Sequence, residues 1–245
     1  ENANIHQVFD FMDGFNDGTD TSGNYTGWLW KRHAGFDVVN WKGNGQSPRE
    51  FVHGLGKAPE MIWTKGRDST YNWRVWHKDL SSGGAAAASW FLELNTNSAE
   101  SSNNDVFGGP SNVLPTSTHF TTGGNAAINE SGTNQIAFLF ASVDGVSKVG
   151  SYTGTGSTLT ITTGFQPRFL IIKKVSGSGA NRNWYLLDTV RGWAAGNDKV
   201  LLLSDDDAQT DSDMGAPTST GFTLTPETHS GWNASSRKYI YYAHA

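Results

Sequence analysis

The chain has 245 residues, a net charge of −5, no cysteine, and only 17% charged residues against 29 glycines and ten tryptophans. An acidic chain without a basic stripe is a poor match for nucleic acid, whose phosphates need clustered Lys and Arg. The missing cysteines exclude disulfide frameworks and thiolate chemistry. The longest apolar run, Ile136 to Ala141, is far short of the roughly 20 residues that span a bilayer, so no membrane insertion is expected.

In chain order, Val8 to Met12 reads as a strand, Asp13 to Asn24 as a turn-rich loop, and Tyr25 to Arg32 as a further strand closing a preceding unit or a sheet edge. From there Gly, Asn, Asp and Ser interrupt short aromatic and β-branched runs every eight to twelve residues, the rhythm of an all-β sandwich or barrel. Met61 to Lys65 and Trp73 to Leu80 alternate with period two. Ala85 to Leu94 is the best helix candidate, although its end reads as strand. Phe169 to Lys174 and Val200 to Leu203 are apolar on both faces, as central buried strands are.

The same elements recur in order. Trp41-Lys-Gly-Asn-Gly45 matches Tyr152-Thr-Gly-Thr-Gly156, and Pro59-Glu-Met-Ile-Trp-Thr-Lys65 matches Pro167-Arg-Phe-Leu-Ile-Ile-Lys173. Asn72-Trp73 matches Asn183-Trp184, and Leu92-Glu-Leu-Asn95 matches Leu201-Leu-Leu-Ser204. Polar loops follow (Ser98 to Asp105, Asp205 to Asp213), then Thr-x-Phe-Thr at Thr118 and Thr220, then the closing strands Ile136 to Ala141 and Lys238 to Ala243. A period of about a hundred residues is too long for a solenoid unit. The expected architecture is therefore all-β: two homologous β-sandwich halves, jelly-roll or lectin-like, packed together with antiparallel sheets and little helix. The expected segments are a lead-in (1–36), a first repeat (37–145) and a second repeat (146–245).

Catalytic motifs are missing. A glycosidase needs two facing carboxylates roughly 5–10 Å apart; the chain has seven Glu, and none falls in a paired strand pattern. Glu93 lies on a strand, but its counterpart Leu202 makes a solvent-facing position the better reading. No nucleophile elbow, zinc signature or phosphate loop occurs, and the chain reads as a non-enzyme. His77 and Asp79 share a strand face, which can orient an imidazole towards a carboxylate, though polar residues at a strand end explain them as well. Asp205, Asp207, Asp211 and Asp213 are a weak candidate for Ca²⁺, which prefers closely spaced oxygens; a solvated loop is the default, and no other cofactor is implied. Trp63, Trp73, Trp76 and Trp184 read as core. Trp193, beside Arg191, and Trp232, beside Asn233, read as exposed and suited to stacking on a sugar ring. Arg67, Asp68, His77 and Asp79 are the matching polar candidates in the first repeat.

Trp28-Leu-Trp-Lys-Arg32, Gly35-Phe-Asp-Val-Val39, Gly54-Leu-Gly-Lys-Ala-Pro59, Gly145 to Gly154, Gly164-Phe-Gln-Pro-Arg168, Asp188-Thr-Val-Arg-Gly192 and Tyr239-Ile-Tyr-Tyr-Ala243 together resemble a duplicated β-rich domain of unknown function. That domain is found in tail-fibre-like structural proteins of tailed, often aquatic, bacteriophages. The resemblance covers nearly all of the chain after residue 25. It implies a virion appendage displayed on the particle surface after folding in the host's reducing cytoplasm, and it brings no catalytic residues. His77-Lys78 and the acid-rich Asp205 to Asp213 depart from the family pattern. The expected role is attachment to a host surface glycan, with other virion proteins as partners and a homotrimer as the assembly. The alternatives are a purely structural capsid decoration or tail adaptor, and an enzyme degrading host polysaccharide.

Overall fold

The computed structural model describes residues 27–32, 35–176, 182–226 and 231–245. A short unit spans Glu1–Trp30, and a large one spans Lys31–Ala245. The expected strand Val8 to Met12 lies outside the described residues. Tyr25 to Arg32 is corrected where it is described: residues 27–32 form no strand.

The large unit is all-β, and its ladders are antiparallel. Its first half contributes β1 (Phe36–Lys42), β2 (Arg49–Val52), β3 (Met61–Gly66), β4 (Arg74–His77), β5 (Trp90–Glu93), β6 (Ser101–Ser102), β7 (His119–Thr122) and β8 (Asn134–Phe140). The second half contributes β9 (Ser147–Thr153), β10 (Leu159–Thr162), β11 (Phe169–Lys174), β12 (Trp184–Asp188), β13 (Asp198–Leu202), β14 (Thr210–Ser212), β15 (Pro217–Thr218), β16 (Gly221–Leu224) and β17 (Lys238–His244). Helix is confined to short turns. Gly84–Ser89 is a 3₁₀ segment rather than the expected helix reaching Leu94, because β5 takes over at Trp90. Ala126–Asn129 (α1) is capped by the Asn125 side chain, whose Oδ1 accepts the Ala127 N–H at 3.0 Å.

Two six-stranded sheets run in the orders β1-β8-β3-β4-β5-β6 and β9-β17-β11-β12-β13-β14, and two small sheets pair β2 with β7 and β10 with β16 and β15. Each small sheet covers one face of a large one. Ile62, Trp76, Ala137 and Leu139 pack with Phe51 and Phe120, and Leu170, Ile172, Tyr185, Leu187 and Tyr241 pack with Phe222 and Leu224. β11 is buried along its whole length, as its two-sided apolar pattern requires. In β13, by contrast, Leu201 and Leu202 are only half-buried.

The opposite faces of the two large sheets meet each other. Registers place Met61, Trp63, Val75, His77, Leu92 and Phe140 on one such face, and Ile171, Lys173, Trp184, Leu186, Ile240 and Tyr242 on the other. Phe140 and Tyr242 touch across the join with ring centroids 4.9 Å apart. Donors from the second half also reach main-chain carbonyls of the first. The Trp184 indole N–H donates to Glu93 O at 2.8 Å, Lys173 Nζ to Thr96 O at 3.5 Å, and Arg182 Nε to Asn97 O at 3.3 Å. Burial, with help from the Arg182 and Lys174 charges, pushes the Lys173 ammonium down to about 7.

Matched sequence elements make matched bonds. The Trp73 N–H donates to the Asn95 side chain, and the Trp184 N–H to Ser204. Asn95 and Ser204 donate in turn to Asn72 and Asn183. Asn129 and Asn233, both fully buried, accept from the N–H groups of Asn44 and Thr155, and donate to Gln46 O and Ser157 O. One matching needs correction. Ile136 pairs with Lys65, and Ile240 with Lys173, so Ile136 corresponds to Ile240 and not to Lys238.

Glycine is demanded at one matched pair. A Cβ on Gly43 would lie 2.0 Å from Glu130 O, and one on Gly154 2.3 Å from Ala234 O. Backbone cannot yield as a side-chain end can, so Gly154→Ala is expected to cost about 1–3 kcal/mol by overpacking. Urea unfolding of the variant measures it; an unchanged midpoint would contradict the close approach.

Candidate functional site

A groove of about 390 Å³ opens where β3 begins and β4 ends. Ala58, Pro59, Trp76, Leu114 and Pro115 line it with apolar surface, and Glu60, Lys78, Asp79 and Gly84 supply polar groups. The local sequence explains the placement. Pro59 cannot donate to a ladder and so stands just outside β3, while Glu60 O accepts the Lys78 N–H at 2.9 Å, bringing the two strand ends side by side. Leu114 and Pro115 arrive from the loop before β7, and Leu114 is one of the exposed large apolar residues.

Glu60 and Lys78 are fixed before any ligand arrives. Glu60 pairs with Lys78 and accepts the Ser142 N–H. Burial alone would raise its carboxyl, but the bonds from Lys78 and Ser142 outweigh that and hold it below the ordinary value. Asp79 is partly exposed, with Oδ2 3.9 Å from His77 Nδ1. His77 lies behind the groove, fully buried, and its Nδ1 accepts the Asp79 N–H at 3.1 Å. Burial, with the nearby Lys78 and Lys238 charges, drives its pKa to about 3, so the ring is neutral at physiological pH. That pair is a packing arrangement: Nδ1 serves the backbone, and the side chain has no route to solvent.

Of the eight binding candidates named from sequence, Asp79 alone lines the groove. Arg67 and Asp68 sit at the other end of β3, where Asp68 accepts two bonds of 2.9 Å from Asn134. The expected exposure of Trp193 is corrected. It is 2% exposed, and its indole N–H donates to Gly215 O at 2.9 Å. Arg191 is held by Asp188, its Nε 2.5 Å from Oδ2. Asn233 is buried, and Trp232 is half-buried against Tyr185, ring centroids 5.9 Å apart. Loop residues flanked by Gly read as exposed, yet this loop folds inward because the Asp188 carboxylate collects the Arg191 N–H and guanidinium. Glu93 is also corrected from a solvent-facing position: Arg74, Asn72 and Thr96 engage its carboxylate.

A second hollow of about 410 Å³ is lined by Asn95, Leu203, Ser204, Asp205 and Asp206. Asp207, Asp211 and Asp213 do not line it, and Asp211 pairs with Lys199 at 2.6 Å. Among the described residues no group of three or more His, Cys, Asp or Glu is placed to hold a metal ion. The four aspartates proposed for Ca²⁺ are thus not brought together. Among the described residues, no helix is long and apolar enough to cross a membrane.

The family model of a domain of unknown function, DUF7483, matches residues 12–245. The chain belongs to this family. No curated protein and no solved structure matches it. The groove residues were invisible in the sequence as a group, because they come from three separate segments: 58–60, 76–84 and 114–115. Only Asp79, named as a polar candidate, and Pro59, which precedes β3, gave any signal.

Proposed function

We propose that this domain is a non-enzymatic module of a tailed-phage appendage, displayed on the virion surface, which attaches the particle to a host surface glycan through the groove beside β3 and β4. We also read the chain as two copies of one ancestral unit, a reading supported by the shared strand order and the paired Asn-Trp, Asn129 and Asn233 bonds. The observation that carries the attachment reading is the groove's composition. An apolar floor suits the C–H face of a sugar ring, and preset charged groups at the edge suit its hydroxyls. Its volume is in the range of small-ligand sites. In a trimer, several weak sites would add through avidity.

Glycan-array binding of the recombinant chain, with and without Ca²⁺, tests this. The expected result is selective binding independent of Ca²⁺, lowered about tenfold or more, equivalent to about 1.4 kcal/mol, in Asp79→Asn with no change in melting temperature. The second reading, a structural subunit that contacts only other virion proteins, calls for a contiguous exposed apolar patch. A stable trimer that binds no glycan would select it.

A further inference from the structure

The wall of the groove is a strained turn held from the other half of the molecule. After β4, the chain reverses through residues 78–84, and Ser81 takes φ +53°, a region disfavoured for any residue with a side chain. Gly83 and Gly84 follow at +78° and +57°. Two local bonds close the turn: Leu80 N–H to His77 O at 3.1 Å, and Gly83 N–H to Leu80 O at 2.9 Å. A left-handed residue persists only where its surroundings over-determine it, and here the remaining constraints come from outside the turn.

Lys238, the first residue of β17, donates its ammonium to Asp79 O and, at 2.8 Å, to Ser81 O. Glu100 accepts the Ser81 N–H at 2.7 Å, and its own N–H donates to Val175 O at 2.9 Å. Both main-chain groups of Ser81 are therefore occupied, one directly by the second half and one through a residue tied to it. Lys238 itself does not line the groove.

We infer that Lys238 is a positioning residue for the groove: with Glu100 it clamps the Ser81 turn, so that the second half sets where Lys78, Asp79 and Gly84 stand. The consequence is a division of labour, with the first half presenting the ligand surface and the second holding it in shape. The inference rests on the groove being the saccharide site, but the clamp has a signature of its own.

The test compares the natural chain with Lys238→Met and Lys238→Gln, whose amide can still donate to one carbonyl. Hydrogen exchange of the peptide covering residues 78–84 is expected to accelerate at least tenfold in Lys238→Met and by less in Lys238→Gln, while exchange in β11 stays as it was. Affinity for the saccharide selected on the array is expected to fall in the same order. Unchanged exchange at 78–84 in both variants overturns the clamp, whatever the binding result. Should exchange accelerate while saccharide affinity stays level, the clamp stands and its positioning of the groove is overturned. A natural chain that binds no saccharide sinks the groove reading alone, since exchange still decides the clamp. If Lys238→Met does not fold, the graded result in Lys238→Gln decides.

Discussion

Lowering the pH from 6.5 to 4 is expected to destabilise the natural chain by about 3 kcal/mol more than a His77→Asn variant. His77 is completely buried where the two large sheets meet, with Lys78 and Lys238 as neighbouring cations and Asp79 partly exposed beside it. Its folded pKa of about 3 lies below the ordinary 6.5. Between these values the unfolded chain binds a proton that the folded chain does not, so stability falls as pH falls. The slope approaches about 1.4 kcal/mol per pH unit, which accumulates to roughly 3 kcal/mol over the interval. Above pH 6.5 both states are neutral at this site and the contribution is complete.

Asparagine is the informative replacement. Its carbonyl can take the Asp79 N–H that Nδ1 now accepts, and it does not titrate. Other carboxylates move in this range too. Glu60 and Asp37 lie below their ordinary values, while Glu100 and Asp198 are raised by burial. They are common to both proteins, so the difference between two urea-denaturation series, at pH 7, 6, 5 and 4, isolates the histidine. Parallel curves would mean that His77 is protonated in place or reached by water.

Period-two alternation and recurring punctuation made the strands readable, since both report only that a residue fits one face of a pleated sheet. β3, β4, β11 and β12 begin where Met61, Trp73, Phe169 and Asn183 suggested, although β4 ends at His77 and not at the expected Leu80. The assignment of Trp63, Trp76 and Trp184 to the core was likewise legible, the first two from alternation and Trp184 from its place matching Trp73 in the recurring elements. What alternation cannot convey is which face meets which partner. On an ordinary surface sheet the expected row Val75, His77, Asp79 would put His77 in water; here a second large sheet covers Val75 and His77, and Asp79 lies past the end of β4 in a partly exposed turn. The inward turn of Trp193 had the same origin, because its indole partner Gly215 lies 22 positions away. The groove was least legible, because its lining is assembled by loops whose ends are set by pairings, such as β3 with β8, that no local pattern encodes.

The matched tryptophans, Trp73 and Trp184, are expected to differ in what they contribute to stability. Trp184 is 1% exposed, donates its indole N–H to Glu93 O at 2.8 Å, and lies under the Lys173 ammonium, 5.5 Å from the ring centroid. Trp184→Ala removes a large buried side chain, leaves the carbonyl without that donor, and deprives a buried cation of its aromatic face. The expected loss is about 3–5 kcal/mol, with Trp184→Phe recovering the ring but not the N–H bond, worth about 1 kcal/mol. Trp73 is half-buried and stacks on Phe138 with centroids 5.9 Å apart. Part of its surface is already in water, so Trp73→Ala should cost about half as much as Trp184→Ala. Guanidinium unfolding of the variants ranks them. If Trp73→Ala proved as costly as Trp184→Ala, burial and the Glu93 bond would not be what separates the two tryptophans.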